Sequence, residues 1–356
     1  MNPLIGLLFH WTGGLSAASF YVPYKAVRQW SWEVYWITGG MFSWILAPWF
    51  FAYFQTNDLI NILSKTSVET LFWCYFFGLA WGFGALTFGL TMRYLGLSLG
   101  MAVALGLTTA FGTLIPPIYD GSFRTLFQTS GGLMILMGVA ITLLGIMVIA
   151  AAGRAKEMEM TEDDRKASIA EFNFSKGIIV AVFCGIMSSC FAYGLAAGEE
   201  IRLLTLAAGT DPLRQGLPVL CIILAGGITT NIFWCGYLII HNKTAGNFVG
   251  KIQNTTDRLC IKKLVKNYLF CFLSGLIWYF QFFFYTMGES LMGKYSFSSW
   301  ALHMASIIIF STLWGFYFKE WKGVKTKTFF MVCLGVAILV LSTIIIGWGN
   351  SISSTK

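Results

Sequence analysis

Charge is what this chain lacks. Of its 356 residues, 24 are Lys or Arg and 16 are Asp or Glu, 11% in all, against about 25% in an average soluble domain. So few charges cannot cover a soluble body of this size, which excludes a globular protein surrounded by water. No acid sits near the middle of a long apolar run, which argues against a proton-driven exporter of cationic drugs, since exchanging proton for cation wants a buried carboxylate. The eight cysteines fit no zinc or redox spacing, and all but Cys260 fall in apolar runs, so neither a metal centre nor a disulfide framework is expected. A G-x-x-x-x-G-K-[ST] loop is missing, which leaves an ion gradient as the energy source and no cofactor. No basic domain interleaved with aromatics points to nucleic acid.

What is present is apolar: 56% of the residues are hydrophobic and 17% aromatic. They fall into ten runs, approximately 3–23, 32–54, 71–92, 95–118, 131–152, 177–197, 214–240, 267–287, 299–318 and 328–349. Each has the ~20 residues that span a ~30 Å hydrocarbon core at ~1.5 Å per residue. Lipid cannot satisfy backbone N–H and C=O groups, so the runs read as helices and the chain as an all-α polytopic membrane protein. The first run has no Lys or Arg ahead of its apolar core and is expected to stay as an uncleaved helix.

Basic residues set the orientation. Connections after runs 1, 3, 5, 7 and 9 hold 18 Lys and Arg, those after runs 2, 4, 6 and 8 hold 5 with Arg214 at the edge of run 7 included, and the tails hold Lys356 alone. The positive-inside rule then places odd-numbered connections in the cytoplasm and both termini on the periplasmic side. The charge-rich stretch 153–176, with Glu162, Asp163, Asp164, Arg165 and Lys166, reads as a solvated linker between five-run halves 1–152 and 177–356. Five is odd, so equal halves are inverted in the membrane. Two echoes in the same order support a repeat. Gly13-Gly-Leu-Ser16 to Tyr21 resembles Gly185-Ile-Met-Ser188 to Tyr193, and Gly78-Leu-Ala-Trp81 resembles Gly275-Leu-Ile-Trp278. Small residues such as Gly78, Gly82, Gly96, Gly100, Gly226 and Gly227 read as close helix contacts.

The informative residues are the polar ones that lipid should exclude. His10, Gln281 and His303 lie ~9, ~9 and ~6 Å in from the outer ends of runs 1, 8 and 9, depths at which all three can face one cavity. Each histidine is also readable as an interhelical hydrogen bond with no transport role, His303 the more so because it lies nearer the headgroups. Trp278, Gln281 and Tyr285 occupy i, i+3 and i+7, one helical stripe that offers amide, phenol and flat apolar faces to a neutral hydroxylated ligand. Asn231 adds a deep amide in run 7. Among the charges at the cytoplasmic ends, Lys25, Glu33, Arg93 and Glu320 can form an inner gate in which either acid pairs with Lys25 or Arg93. The other reading is topogenic positives, with Ser31 as N-cap and Glu33 favourable in a first turn.

Several strings resemble the L-rhamnose/proton symporter family of bacterial inner membranes. They are Pro23-x-Lys25, Trp30-Ser-Trp-Glu33, Gly89-Leu-Thr-Met-Arg-Tyr-Leu-Gly96, Gly112-Thr-Leu114, Trp278-Tyr-Phe-Gln-Phe-Phe-Phe-Tyr285, Ser299-Trp-x-Leu-His303-Met and Lys319-Glu-Trp321. The resemblance implies a ten-helix member of the drug/metabolite transporter superfamily, built of two inverted five-helix repeats, that imports a neutral deoxy-sugar with protons. In that reading Gln281, Tyr285, Trp278, His10 and Asn231 serve substrate binding. His10, Glu33, Glu320, Lys25, Arg93 and His303 serve proton coupling or the gate. Departures from the family pattern are Ala85, Thr87 and Phe88 where polar side chains are expected, and Glu289 where a His is expected. If run 3 lines the pocket, fewer hydrogen bonds are available there, and a related sugar is an alternative. Sodium could replace the proton. Rival functions are a metabolite exporter of the same superfamily, told apart by flux direction, and a polytopic membrane enzyme, which would need a nucleophile or metal cluster beside its bases.

Overall fold

The computed structural model describes residues 2–95, 97–160, 173–253, 255 and 257–354. Among the described residues ten long helices follow the ten runs. We number them α1 (Pro3–Ser19), α2 (Trp32–Gln55), α3 (Val68–Leu95), α4 (Leu97–Tyr119), α5 (Ser130–Glu159), α6 (Phe174–Ala197), α7 (Leu217–His241), α8 (Ile261–Ser290), α9 (Ser299–Tyr317) and α10 (Thr326–Ser354). Among the described residues nine helices, α2 to α10, are long and apolar enough to cross a membrane. With 17 residues, α1 spans only ~25 Å, and a further turn at Tyr21–Tyr24 prolongs it. The only β pairing in the described residues is an isolated bridge between Lys251 and Arg258.

Local chemistry sets the ends. Asn2 caps α1 by accepting from the Leu4 N–H at 3.1 Å, with Pro3 at the first helical position. Thr129 caps α5 and Asn173 caps α6 in the same way. Ser31 does sit at the N-cap of α2, but its hydroxyl makes no cap bond; its N–H instead donates to Asn247 Oδ1 at 2.9 Å. Within α2 the stretch Phe42–Leu46 widens to a π-turn just before Pro48, which has no N–H to give to Trp44. The charged stretch after run 5 continues α5 as helix through Glu159, whose carboxylate accepts from the Lys325 N–H and Thr328 Oγ1 at the start of α10. Residues 161–172 of the expected linker, Glu162 to Lys166 among them, and Gly96 lie outside the described residues.

Packing divides the bundle into groups. Helix α1 lies on α8 and α9, α6 lies on α3 and α4, and α5 pairs with α10. Helices α2 and α7 pack on each other and on α8 and α3 respectively, joining the first two groups. The expected glycine contacts are made: a Cβ at Gly78 would collide with the Ile223 carbonyl oxygen, and one at Gly226 with that of Tyr75, so α3 and α7 touch backbone to backbone. All eight cysteines are free, and Cys260 is the exposed one.

The described parts of the odd-numbered connections gather at one end, here the basic end. There Arg28 and Asn267 exchange backbone and amide bonds at 2.9 and 3.2 Å, and Lys156 lies over the Trp321 ring. At the opposite end Thr129 meets Tyr295, and Asn57 binds Thr210 and the Ala208 carbonyl.

Candidate functional site

At the basic end the two groups stand apart. Phe20 and Tyr21 from the end of α1, with Trp32 and Trp36 from α2, face α3 from Leu79 to Leu90 and α7 from Thr229 to Trp234 across a cleft of about 990 Å³. Small-molecule sites measure ~300–1,000 Å³. Trp32 stacks on Trp36 at 5.4 Å, and the Trp36 indole N–H donates to Asn231 Oδ1 at 3.0 Å. The Asn231 amide in turn donates to the Gly227 carbonyl at 2.9 Å. Asn231 therefore fixes the ring that walls the cleft. Ala85, Thr87 and Phe88 line the α3 wall and give it one hydroxyl, whose proton goes to the Phe83 carbonyl. Phe20 and Trp36 also border a narrow crevice that ends at Trp44 and Trp278. The indole N–H of Trp44 is buried there without a hydrogen-bond partner.

Beyond the crevice α8 carries the predicted stripe into the closed half. Trp278 packs with Trp44, Trp81 and Phe282 at 5.1–5.7 Å. One turn on, Gln281 is buried against α1: a Cβ on Gly13 would meet the Gln281 carbonyl oxygen at 2.8 Å and His303 Cε1 at 3.4 Å. Tyr285 then stands between the two histidines, 5.3 Å from the His10 ring and 5.2 Å from that of His303, edge-on to both. Both histidines are fully buried, and none of their four ring nitrogens has a hydrogen-bond partner. A buried polar group left unpaired costs ~1–3 kcal/mol, so such a cluster calls for a role. His10, Gln281 and His303, grouped in the sequence by depth, and Tyr285, grouped with Gln281 by helical spacing, are brought together by α1, α8 and α9.

The gate candidates are placed apart. Glu33 is buried at the N-terminus of α2, where Oε1 accepts from Asn242 Nδ2 at 3.1 Å and Thr244 Oγ1 at 2.8 Å. Lys25 lies 3.9 Å over the Phe318 ring. Arg93 is exposed in the last turn of α3. Glu320 lines a separate hollow of about 330 Å³ beside Lys156, Glu157 and Trp321.

A mostly buried ion pair at the opposite end was not expected from the sequence. Arg202, on the short helix Glu199–Ala207 that follows α6, donates through Nη2 to Glu289 Oε2 at 2.8 Å, both side chains 12% exposed. Acids therefore do reach the interior, one turn from Tyr285. The signals were an Arg on the poorly basic side and the one acid that departs from the family pattern, but they lie 87 residues apart. A second carboxylate, Glu200, accepts there from Ser67 and Thr70.

Comparison with known proteins gives this geometry a context. The family model described as L-rhamnose-proton symport protein (RhaT) matches residues 2–352. The L-rhamnose-proton symporter of Yersinia pestis (strain Pestoides F) is 37% identical over 347 residues, 97% of this chain and 98% of that protein. That of Pectobacterium atrosepticum is 36% identical over 353 residues, 99% of each chain.

Proposed function

This chain belongs to the L-rhamnose-proton symport protein family, and we propose that it imports L-rhamnose together with protons across a bacterial inner membrane. The observation that carries this is a family match running almost end to end, through the very helices that build the cleft and the histidine cluster. A symporter of this kind is a carrier, not an enzyme. Its driving force is a proton gradient.

The sugar's C–H faces lie against Trp32, Trp36 and, deeper, Trp278, while Gln281 and Tyr285 meet its hydroxyls. Asn231 acts by holding Trp36. His10 is the leading proton-linked residue, with His303 across Tyr285 from it, and at the basic end Glu33 or Glu320 pairs with Lys25 or Arg93 when that end shuts. The positive-inside rule makes the basic end cytoplasmic and both termini periplasmic, so the structure is open inward.

Ten crossings in two inverted five-helix repeats fit the packing. Exchanging each helix for its counterpart five places on turns the α1 contacts with α8 and α9 into those of α6 with α3 and α4. The two tryptophans of the sequence echo, Trp81 and Trp278, meet at 5.7 Å. The same exchange relates Glu33, held by the connection after α7, to Glu200, held by the connection after α2. This architecture is the support for placing the chain in the drug/metabolite transporter superfamily.

Uptake of labelled L-rhamnose and other deoxyhexoses into proteoliposomes, each under an imposed proton or sodium gradient, tests the reading. Accumulation of L-rhamnose driven by the proton gradient is expected. Sodium-driven uptake, preference for another sugar, or net export would overturn it. His10→Gln is expected to uncouple uptake from the proton gradient; unchanged pH dependence in that variant removes His10 from the proton role.

A further inference from the structure

We propose that the Arg202–Glu289 ion pair latches the end opposite the cleft, and that proton binding by Glu289 releases it to admit the sugar. The proposal rests on the reading of proton-coupled uptake above, and it names a residue that reading did not include. The pair joins the helix trailing α6 to the end of α8, and so ties together the two groups that stand apart at the cleft. Here they are closed over a hollow of about 330 Å³, lined by Arg202, Gln215, Thr286, Glu289, Ser290 and Lys294 among others. The hollow opens the pair to water from that side. Behind the pair lie Tyr285, one turn back on α8, and His10, whose Nε2 faces the backbone at Gly288.

The surroundings favour a switch that moves one proton. Glu289 meets Arg202 directly. From the same short helix Glu199 also reaches Arg202, at 3.5 Å. Lys294 of the Gly293–Ser298 turn lines the hollow. From the Pro212–Arg214 turn, Arg214 bonds Met287 Sδ and covers Phe283. From α1 comes His10, and from α9 comes His303 across Tyr285. When a proton from the outer water adds to the Glu289 carboxylate, the attraction to Arg202 is lost, and a neutral acid tolerates the buried site far better than an unpaired anion. Arg202 stays charged and keeps Glu199, so opening strands no cation. The groups then part at this end; on closing, Glu289 passes its proton inward to an unpartnered ring nitrogen of the histidine pair, and the carboxylate so freed pairs with Arg202 again.

The test uses the full chain in right-side-out membrane vesicles, with Thr286→Cys as reporter in a Cys260→Ser background. Thr286 is 2% exposed and lines the hollow. Labelling by an impermeant maleimide, expressed throughout as its rate relative to that of free cysteine with the same reagent at the same pH so that the thiolate's own titration cancels, is expected to rise several-fold as the outer pH falls from about 8 to about 4.5, a range that reaches the ordinary glutamate value of ~4.3. With Glu289→Gln added, labelling is expected at the acid level at every pH. Glu289→Gln alone is expected to exchange L-rhamnose across the membrane while failing to accumulate it. Proton-driven accumulation with unaltered pH dependence in Glu289→Gln overturns the proposal. Should that variant not insert, the reporter in the parent chain still decides: acid-enhanced labelling supports the latch, and flat labelling overturns it. A parent chain that moves no L-rhamnose defeats the proposed function, while the labelling result still judges the latch.

Discussion

At the basic end a buried carboxylate, Glu33, is held by neutral donors, an amide and a hydroxyl; at the opposite end Glu289 is held by a guanidinium. The two clamps respond differently to a proton. Glu33 loses strength in bonds to neutral groups, each of which contributes ~0.5–1.5 kcal/mol net, and its donors can turn to water or backbone. Glu289 loses an ion pair whose parts are only 12% exposed and meet water through the hollow alone, and there the charge itself is the bond. The ends also differ in packing: the first opens on a wide aromatic cleft, the second closes over a hollow a third of that size. The comparison teaches that the proton-sensitive contact belongs to the end that is shut.

Substitutions can break or sharpen that contrast. The largest effect is expected from Arg202→Gln, which strands Glu289 as a buried unpaired anion and lowers stability by ~3–5 kcal/mol at neutral pH. Melting of the detergent-purified protein followed by tryptophan fluorescence reads this, and the loss should shrink in acid as Glu289 becomes neutral. A loss independent of pH would point to packing instead. Next comes Trp36→Phe, which leaves the Asn231 carbonyl short of its donor and costs ~1–3 kcal/mol. Weaker L-rhamnose uptake should accompany that shift, and normal uptake with lowered stability would take Trp36 out of the cleft's function. Glu33→Gln keeps an acceptor for Asn242 and Thr244, so a change of only ~0.5–1.5 kcal/mol is expected, with the pH dependence of uptake preserved. Equal sensitivity of Glu33→Gln and Arg202→Gln in the same melts would erase the difference between the ends. Ser67→Ala, at the exposed Glu200 clamp, is expected to move nothing measurable.

Much of this was legible in the sequence. Run length and apolar content located every long helix, because lipid leaves helix as the economical answer for each run. The ends were less legible, since hydropathy reports depth in lipid and not helicity. Lys262, Lys263 and Lys266 put the start of run 8 at 267, yet they extend α8 back to Ile261 without difficulty. The helix Glu199–Ala207 was missed because three of its first four residues are charged, which a run-based reading treats as a connection. In the site, depth arithmetic put His10, Gln281 and His303 at one level, since depth follows from position along a straight helix, and α1, α8 and α9 pack them close to Tyr285. Azimuth does not, which is why Asn231 read as a ligand group when its bonds go to Trp36 and Gly227. The Arg202–Glu289 pair depends on how two distant helix ends meet, and no local pattern carries that.

The central claim is that sugar and proton cross together. Addition of L-rhamnose to lightly buffered, de-energised cells carrying the protein, with a pH electrode in the medium, tests it most directly. Transient alkalinisation that follows sugar addition and vanishes with a protonophore is the expected result; L-rhamnose uptake with no movement of the outer pH would contradict it.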